Sequence, residues 1–404
     1  MKKKLLALVC ALALVFSLVG CGLSTPDTVG RIGDFEVTSG LYLLAQFDAY
    51  QQAAQLAGSD QDTTDVKSFL KATITTDADS GETAVVKDYV AAETRKTLQT
   101  FAAIETRFDA LGGTLTETQQ ATADSYAQQL MDQNGDLYTA NGIGLETLKK
   151  LGTLQVKHTL LLDLVYGTDG EAPVSDSELT DHLNEMYELA YINVPLYNTS
   201  TYVFADDDQK TEMLTLAQQA VKAVNLAANE TVSDQVSALH AAAQAALPDI
   251  YAVLDAEYSD DSASVQTELL TESNLTSAFT QDGAADTVRN LSYGEAAAIQ
   301  YTSYAMMLTV RLDPLQVSTL DDLRATILSD LKGTELDDQL AADGAALTDA
   351  LSDSAMNETI GGKRGRFSVL FRKCAHRVTR ANSAARAAFT ERTALGSGLT
   401  AARS

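Results

Sequence analysis

Between Gly22 and Ile360 the sequence contains no cysteine. This removes disulfides, redox chemistry and thiolate metal sites from the body of the chain. The three cysteines present, Cys10, Cys21 and Cys374, all lie near the ends. A body of about 340 residues can bury one or two sizeable cores without cross-links. Basic residues are also scarce, with 29 Lys plus Arg against 55 Asp plus Glu. Ten of these bases and a single acid, Glu391, fall in residues 361–404, so residues 1–360 carry 19 against 54, a net charge of −35. That acidity argues against nucleic acid as a partner and against an electrostatic grip on anionic lipid, because both need a basic face.

Motifs with chemistry are equally sparse. His158, His182 and His240 are scattered over separate segments, and His182 with Glu185 supplies only two groups on one helical face, so no metal site is expected. Asp132, Asn134 and Asp136 begin like a calcium loop, but Leu137 stands where its glycine belongs and Ile143 occupies the twelfth position. Gly142, Ile143 and Gly144 lack the third glycine and preceding strand of a dinucleotide fingerprint. No Gly-x-Ser-x-Gly nucleophile elbow occurs, and no cofactor is expected.

Only one long apolar run is present. Lys2, Lys3 and Lys4 precede residues 5–19, which contain no charge, and the run closes on Leu18, Val19, Gly20 and Cys21. About fifteen apolar residues fall short of the roughly twenty that span a bilayer, and the layout is that of a secretory signal peptide. The order Leu, Val, Gly, Cys resembles the lipobox of bacterial lipoproteins. It implies lipid attachment to Cys21 and a protein held at the cell membrane on its extracytoplasmic side. An ordinary cleaved leader is the alternative.

After a short polar tether, residues 29–37 read as a hairpin turning at Gly33 and Asp34, with Thr38 or Ser39 capping a helix toward Leu56. Residues 58–82 are polar and read as a loop with a helical turn near 66–70. From 83 to 167 the helical periodicity is the strongest in the chain. Gly112 and Gly113 stop one helix, Thr116 with Gln119 starts the next as a capping box, and a third runs from Leu145 to Val165. Residues 167–173 read as a linker and 175–187 as a capped helix. Residues 189–196 form a strand whose Pro195 suits an edge or bulge. Residues 206–247 are helical, 250–254 a strand, and 260–273 an acidic loop. Short helices at 274–279 and 284–291 precede a second β signal over 295–312, and a long helix follows from 319 to about 351.

These pieces resemble the PrsA/SurA class of extracytoplasmic foldases. The resemblance is carried by Val29, Gly30, Val37 and Thr38; by Val174, Ser175, Asp176 and Tyr187; and by Phe279, Leu291, Gly294, Glu295 and the strand from Tyr304 to Leu312. It implies a predominantly helical α+β fold, in which a helical chaperone domain built from N-terminal and C-terminal segments surrounds an inserted parvulin-like α/β domain. The expected boundaries are a signal peptide at 1–20, a tether at 21–28, the chaperone domain at 29–173 plus 315–355, the inserted domain at 174–314, and a basic, disordered tail at 356–404. That tail is either a basic arm or an out-of-frame reading of the gene's end.

Parvulin chemistry requires no covalent step. Rotation about an X-Pro bond faces a barrier of about 18–20 kcal/mol. An apolar pocket holds the proline ring while polar groups favour the twisted amide. In the family two histidines, on the first and last strands, form that polar network. The matching positions here are Tyr191 and about Ala305, neither a histidine. Where the family has a glycine pair, this sequence has Ser262, Ser264 and Gln266. The resemblance therefore implies weak or absent isomerase activity; Tyr191, Phe279, Tyr304 and Met306 are the candidates for a peptide-binding wall, and plain core is the alternative reading of Phe279 and Met306. Unfolded exported polypeptides are the expected partners. The alternative is a non-catalytic envelope lipoprotein using the same fold for one dedicated partner.

Overall fold

The computed structural model describes residues 26–58, 61–63, 65–140, 142–226 and 231–356. The leader, Cys21 and the basic segment from Lys363 lie outside them. The protein is a predominantly helical α+β chain. It divides into two compact units, Met1–Leu161 with Glu335–Ser404, and Leu162–Thr334. Both divisions fall inside helices, whereas the sequence reading places them after 173 and 314. In the irregular connection at 167–173, Glu171 and Ala172 donate their N–H groups to the carbonyls of Leu164 and Val165.

The first unit opens with β1 (Thr28–Ile32) and β2 (Phe35–Thr38), paired antiparallel around Gly33 and Asp34. The Thr38 hydroxyl accepts the Leu41 N–H and starts α1 (Ser39–Ala57). A short α2 (Val66–Phe69) and a hairpin of β3 (Thr73–Thr75) with β4 (Thr83–Val85) follow. The polar composition of 58–82 concealed this hairpin, of which only Ile74 is buried among β3 and β4 residues. Three long helices come next: α3 (Val86–Ala110), α4 (Glu117–Ala140) and α5 (Leu145–Tyr166). Gly113 closes α3 by donating to the Phe108 carbonyl. Thr116 and Gln119 exchange hydrogen bonds at the start of α4. Asp132, Asn134 and Asp136 lie within α4, which kinks at Asn134. Tyr50 meets Phe69 edge-on at 5.4 Å in one core, and Leu43, Leu44, Ala127, Ile143 and Leu148 form another.

The second unit contains α6 (Asp176–Leu183), capped by Ser175, then β5 (Tyr187–Pro195), α7 (Asp207–Leu226) and α8 (Val232–Ala252). A 3₁₀ turn (Asp260–Ala263) leads to β6 (Gln266–Leu270), α9 (Glu272–Ala278) and α10 (Ala284–Asn290). Then come β7 (Ala296–Gln300), β8 (Ala305–Leu312) and α11 (Pro314–Val317), and α12 (Leu320–Ala346) runs back into the first unit's sequence. The sheet order is β6-β5-β8-β7, every pair antiparallel. One face carries Ala190, Ile192, Val194, Met306, Leu308 and Val310 against α7 and α8. The other carries Leu189, Tyr191, Ile299 and Met307 against α9 and α10. Pro195 is tolerated in a central strand because β6 ends opposite Tyr191, leaving Pro195 paired only with Ala305.

Four sequence readings are corrected. Residues 250–254 are not a strand: Ile250 and Tyr251 continue the helical stripe of Leu239, Ala243 and Leu247 through Pro248. The loop read at 260–273 contains β6, an edge strand whose polar residues gave no apolar alternation. The signal at 295–312 is two strands joined by a turn. The final helix stops at Ala346, and β9 (Asp349–Leu351) pairs antiparallel with β1, giving the first unit the sheet β2-β1-β9. No helix among the described residues is long and apolar enough to cross a membrane.

Candidate functional site

Strand alternation turns Tyr191 toward α9 and α10, where it is buried with Leu189, Phe279, Ile299 and Met307. Its hydroxyl donates to Glu268 Oε2 at 3.1 Å. Burial pushes the phenol well above its usual range, and the Glu268 charge and the hydrogen bond push in the same direction. The same burial raises Glu268, opposed by the bond from Tyr191. Beside them Tyr301 donates to Asn193 Oδ1 at 3.1 Å and packs on the Phe279 ring at 5.4 Å. Its phenol is pushed up to about 12, mainly by burial and then by Tyr304 and Glu268. At the end of the same face Arg311 lies over the rings of Tyr187 and Tyr293, at 5.0 and 5.2 Å, and donates to the Leu291 carbonyl.

Tyr191 stands opposite Thr309, whereas Ala305 stands opposite Pro195, four positions along the strand pair. At about 3.4 Å per residue the two family positions are some 14 Å apart along the sheet. Tyr191 and Phe279 share one core, Met306 is fully buried on the opposite face, and Tyr304 lies in the turn before β8. The four residues therefore do not line one surface. The arrangement can hold protonated phenols in fixed hydrogen bonds. Glu268, its central acceptor, escaped sequence reasoning because β6 carried no recognisable strand pattern.

The first unit contains a cavity of about 530 Å³. Tyr42, Leu70, Val90, Leu98, Leu351 and Met356 supply much of its wall, with Lys87, Arg95 and Asp353 also bordering it. Gln46 Oε1, buried without a hydrogen-bond partner, belongs to a residue of the same wall. Burial is the main cause that raises the Tyr42 phenol there. The sequence marked α1 and α3 as amphipathic, and their packed surfaces, together with residues near Leu351 and Met356, border the cavity.

The histidines are dispersed. His158 Nε2 lies 2.7 Å from Asp337 Oδ1, and His182 Nε2 lies 2.8 Å from Asp330 Oδ2 with Nδ1 3.6 Å from Glu185. His240 Nδ1 meets the Ala263 carbonyl at 2.9 Å.

No family model matches the chain, and no curated protein matches it. Among solved structures it is similar to the foldase protein PrsA from Streptococcus pneumoniae str. Canada MDR_19A, at 11% identity over 70% of this chain and 96% of that one, with a TM-score of 0.35. It is similar also to PrsA from Bacillus subtilis, at 12% identity over 72% and 93% with a TM-score of 0.27. Foldase protein PrsA from Lactococcus lactis aligns at 10% identity over 83% and 99%, with a TM-score of 0.31.

Proposed function

We propose that this chain is a lipid-anchored extracytoplasmic folding factor that shields apolar segments of unfolded exported polypeptides, with an inserted domain whose prolyl isomerase activity is weak or absent. The observation that carries the reading is the open, apolar-walled cavity of about 530 Å³ in the discontinuous helical unit. That volume suits one or two bulky side chains. The replacement of both family histidines, and the burial of Tyr191 against Glu268, support the loss of isomerase chemistry.

Light scattering of several unrelated denatured proteins diluted into the full chain tests the first part. Suppression is expected near equimolar ratio, and Ala91→Trp, at the cavity wall, should weaken it several-fold. No suppression for any client would overturn it. A protease-coupled assay on an Ala-Pro peptide tests the second part, and the expected rate is that of the uncatalysed peptide. Fatty-acid labelling lost in Cys21→Ser is expected for the anchor.

A dedicated-partner role is the second reading. It is favoured by the long α7–α8 pair, which covers one whole face of the sheet. Recovery of one stoichiometric partner from cells, without suppression of aggregation, would select it.

A further inference from the structure

Tyr202, Val203 and Phe204 are 73%, 65% and 62% exposed, the three most exposed large apolar residues described. They are consecutive, and they are held in place. Asn198, itself buried, donates through Nδ2 to the carbonyls of Leu254 and Asp255 and accepts the N–H groups of Ser200 and Thr201 on Oδ1. Its backbone N–H reaches the Val203 carbonyl, and its carbonyl receives the Tyr202 N–H at 2.7 Å. Ala205 and Leu196 close the base, and Tyr197 bridges to Phe204. The half-buried Tyr197 ring stacks on Tyr202 at 6.3 Å and meets Phe204 at 5.4 Å. Tyr202 holds φ of +57°, a conformation costly for a bulky side chain.

An apolar projection fixed in this way loses little entropy when it is covered. What covers it is indicated by charge. Asp206, Asp207 and Asp208 follow the projection directly, and Asp255 and Glu257 follow the Leu254 carbonyl to which it is tied. Residues 197–209 and 249–265 contain no Lys or Arg. The next base, Lys210, is 3.3 Å from Asp207. A lipid surface is disfavoured, because an anionic leaflet repels these carboxylates. A second copy presents the same acids to its twin.

We infer that Tyr197, Tyr202, Val203 and Phe204, flanked by these carboxylates, dock a cationic apolar segment of another polypeptide. Its Lys or Arg side chains lie over the rings and pair with the acids while its apolar residues cover Val203 and Phe204. The inference names a client class for the folding factor proposed above and rests on that reading, while its own test is separate.

The test is fluorescence anisotropy with labelled fifteen-residue peptides alternating Leu with Lys, Leu with Glu, or Leu with Ser, titrated with the full chain and with a chain ending at Met356. The Leu-Lys peptide should bind at least tenfold more tightly than the other two, and Tyr202→Ser with Phe204→Ser should remove that preference. Replacing Asp206, Asp255 and Glu257 by their amides should weaken it about tenfold and flatten its salt dependence. Equal binding of the three peptides, or a preference that survives the double substitution with the fold intact by circular dichroism, overturns the inference. Tight Leu-Lys binding only by the shorter chain would mean that the basic residues beyond Met356 occupy the projection in cis, which also overturns it. Aggregation suppression without peptide preference leaves the folding-factor reading standing and removes this one; peptide preference without suppression does the reverse.

Discussion

Tyr191 on β5 and Glu268 on β6 are diagonal neighbours, two residue pairs out of direct register, and they are joined by a hydrogen bond of 3.1 Å. A buried phenol therefore stands where the family resemblance implies an imidazole. Tyr191→Phe should cost about 1 kcal/mol in chemical unfolding, because it takes the hydrogen-bond donor from a half-buried carboxyl. Adding Glu268→Gln should recover part of that loss. Tyr191→His with Ala305→His should leave the protease-coupled prolyl assay at its uncatalysed rate, since the two positions lie four residue pairs apart.

Glu188 should make stability depend on pH. It is 4% exposed in the middle of the sheet, and burial, with a contribution from Glu268, pushes its carboxyl from 4.5 to about 7. The folded chain then binds more protons than the unfolded chain between these values, so stability is full below pH 4.5 and declines as pH rises through 7. The loss is on the order of 3 kcal/mol at most. Urea unfolding at pH 5 and pH 8 should show it, and Glu188→Gln should abolish most of the difference while stabilising the protein at pH 8.

Asn198→Ala removes four hydrogen bonds that hold the 197–205 loop. The expected cost is about 2 kcal/mol. Hydrogen exchange should become faster at Ser200, Thr201 and Tyr202, while α9 and α10 keep their protection.

Gly30→Ala should separate β1 from β9. Gly30 holds φ of +135°, and a methyl there would collide with the Ala350 carbonyl and the Leu351 backbone. More than about 1 kcal/mol of destabilisation is expected, because both the backbone angle and the strand contact resist the side chain. Exchange protection at residues 349–351 should be lost first.

Where a segment makes its own structure, the sequence announced it. The Gly33–Asp34 hairpin, the Thr38 cap, the Thr116–Gln119 box and the stop at Gly113 all rest on residues a few positions apart. Where structure is imposed from a distance, it did not. Gln266–Leu270 is a strand because β5 lies beside it, and Asp349–Leu351 because β1 does, although neither stretch alternates. The same limit applies to sites. Tyr191 was visible by resemblance, but its partner Glu268 depended on an unseen strand. The projection at 202–204 depended on Asn198, whose anchor carbonyls lie more than fifty residues away.

Pairing of Ile32 with Asp349 closes a loop of 317 positions, whereas every strand of the second unit lies between Tyr187 and Leu312. A polypeptide delivered N-terminus first can therefore complete the four-stranded sheet while β1 still lacks a neighbour on one side. Until Leu351 emerges, the N-terminal hairpin has an open edge, available to stray strands from other nascent chains. A chain built this way passes through a stage in which one of its own strands is in need of protection.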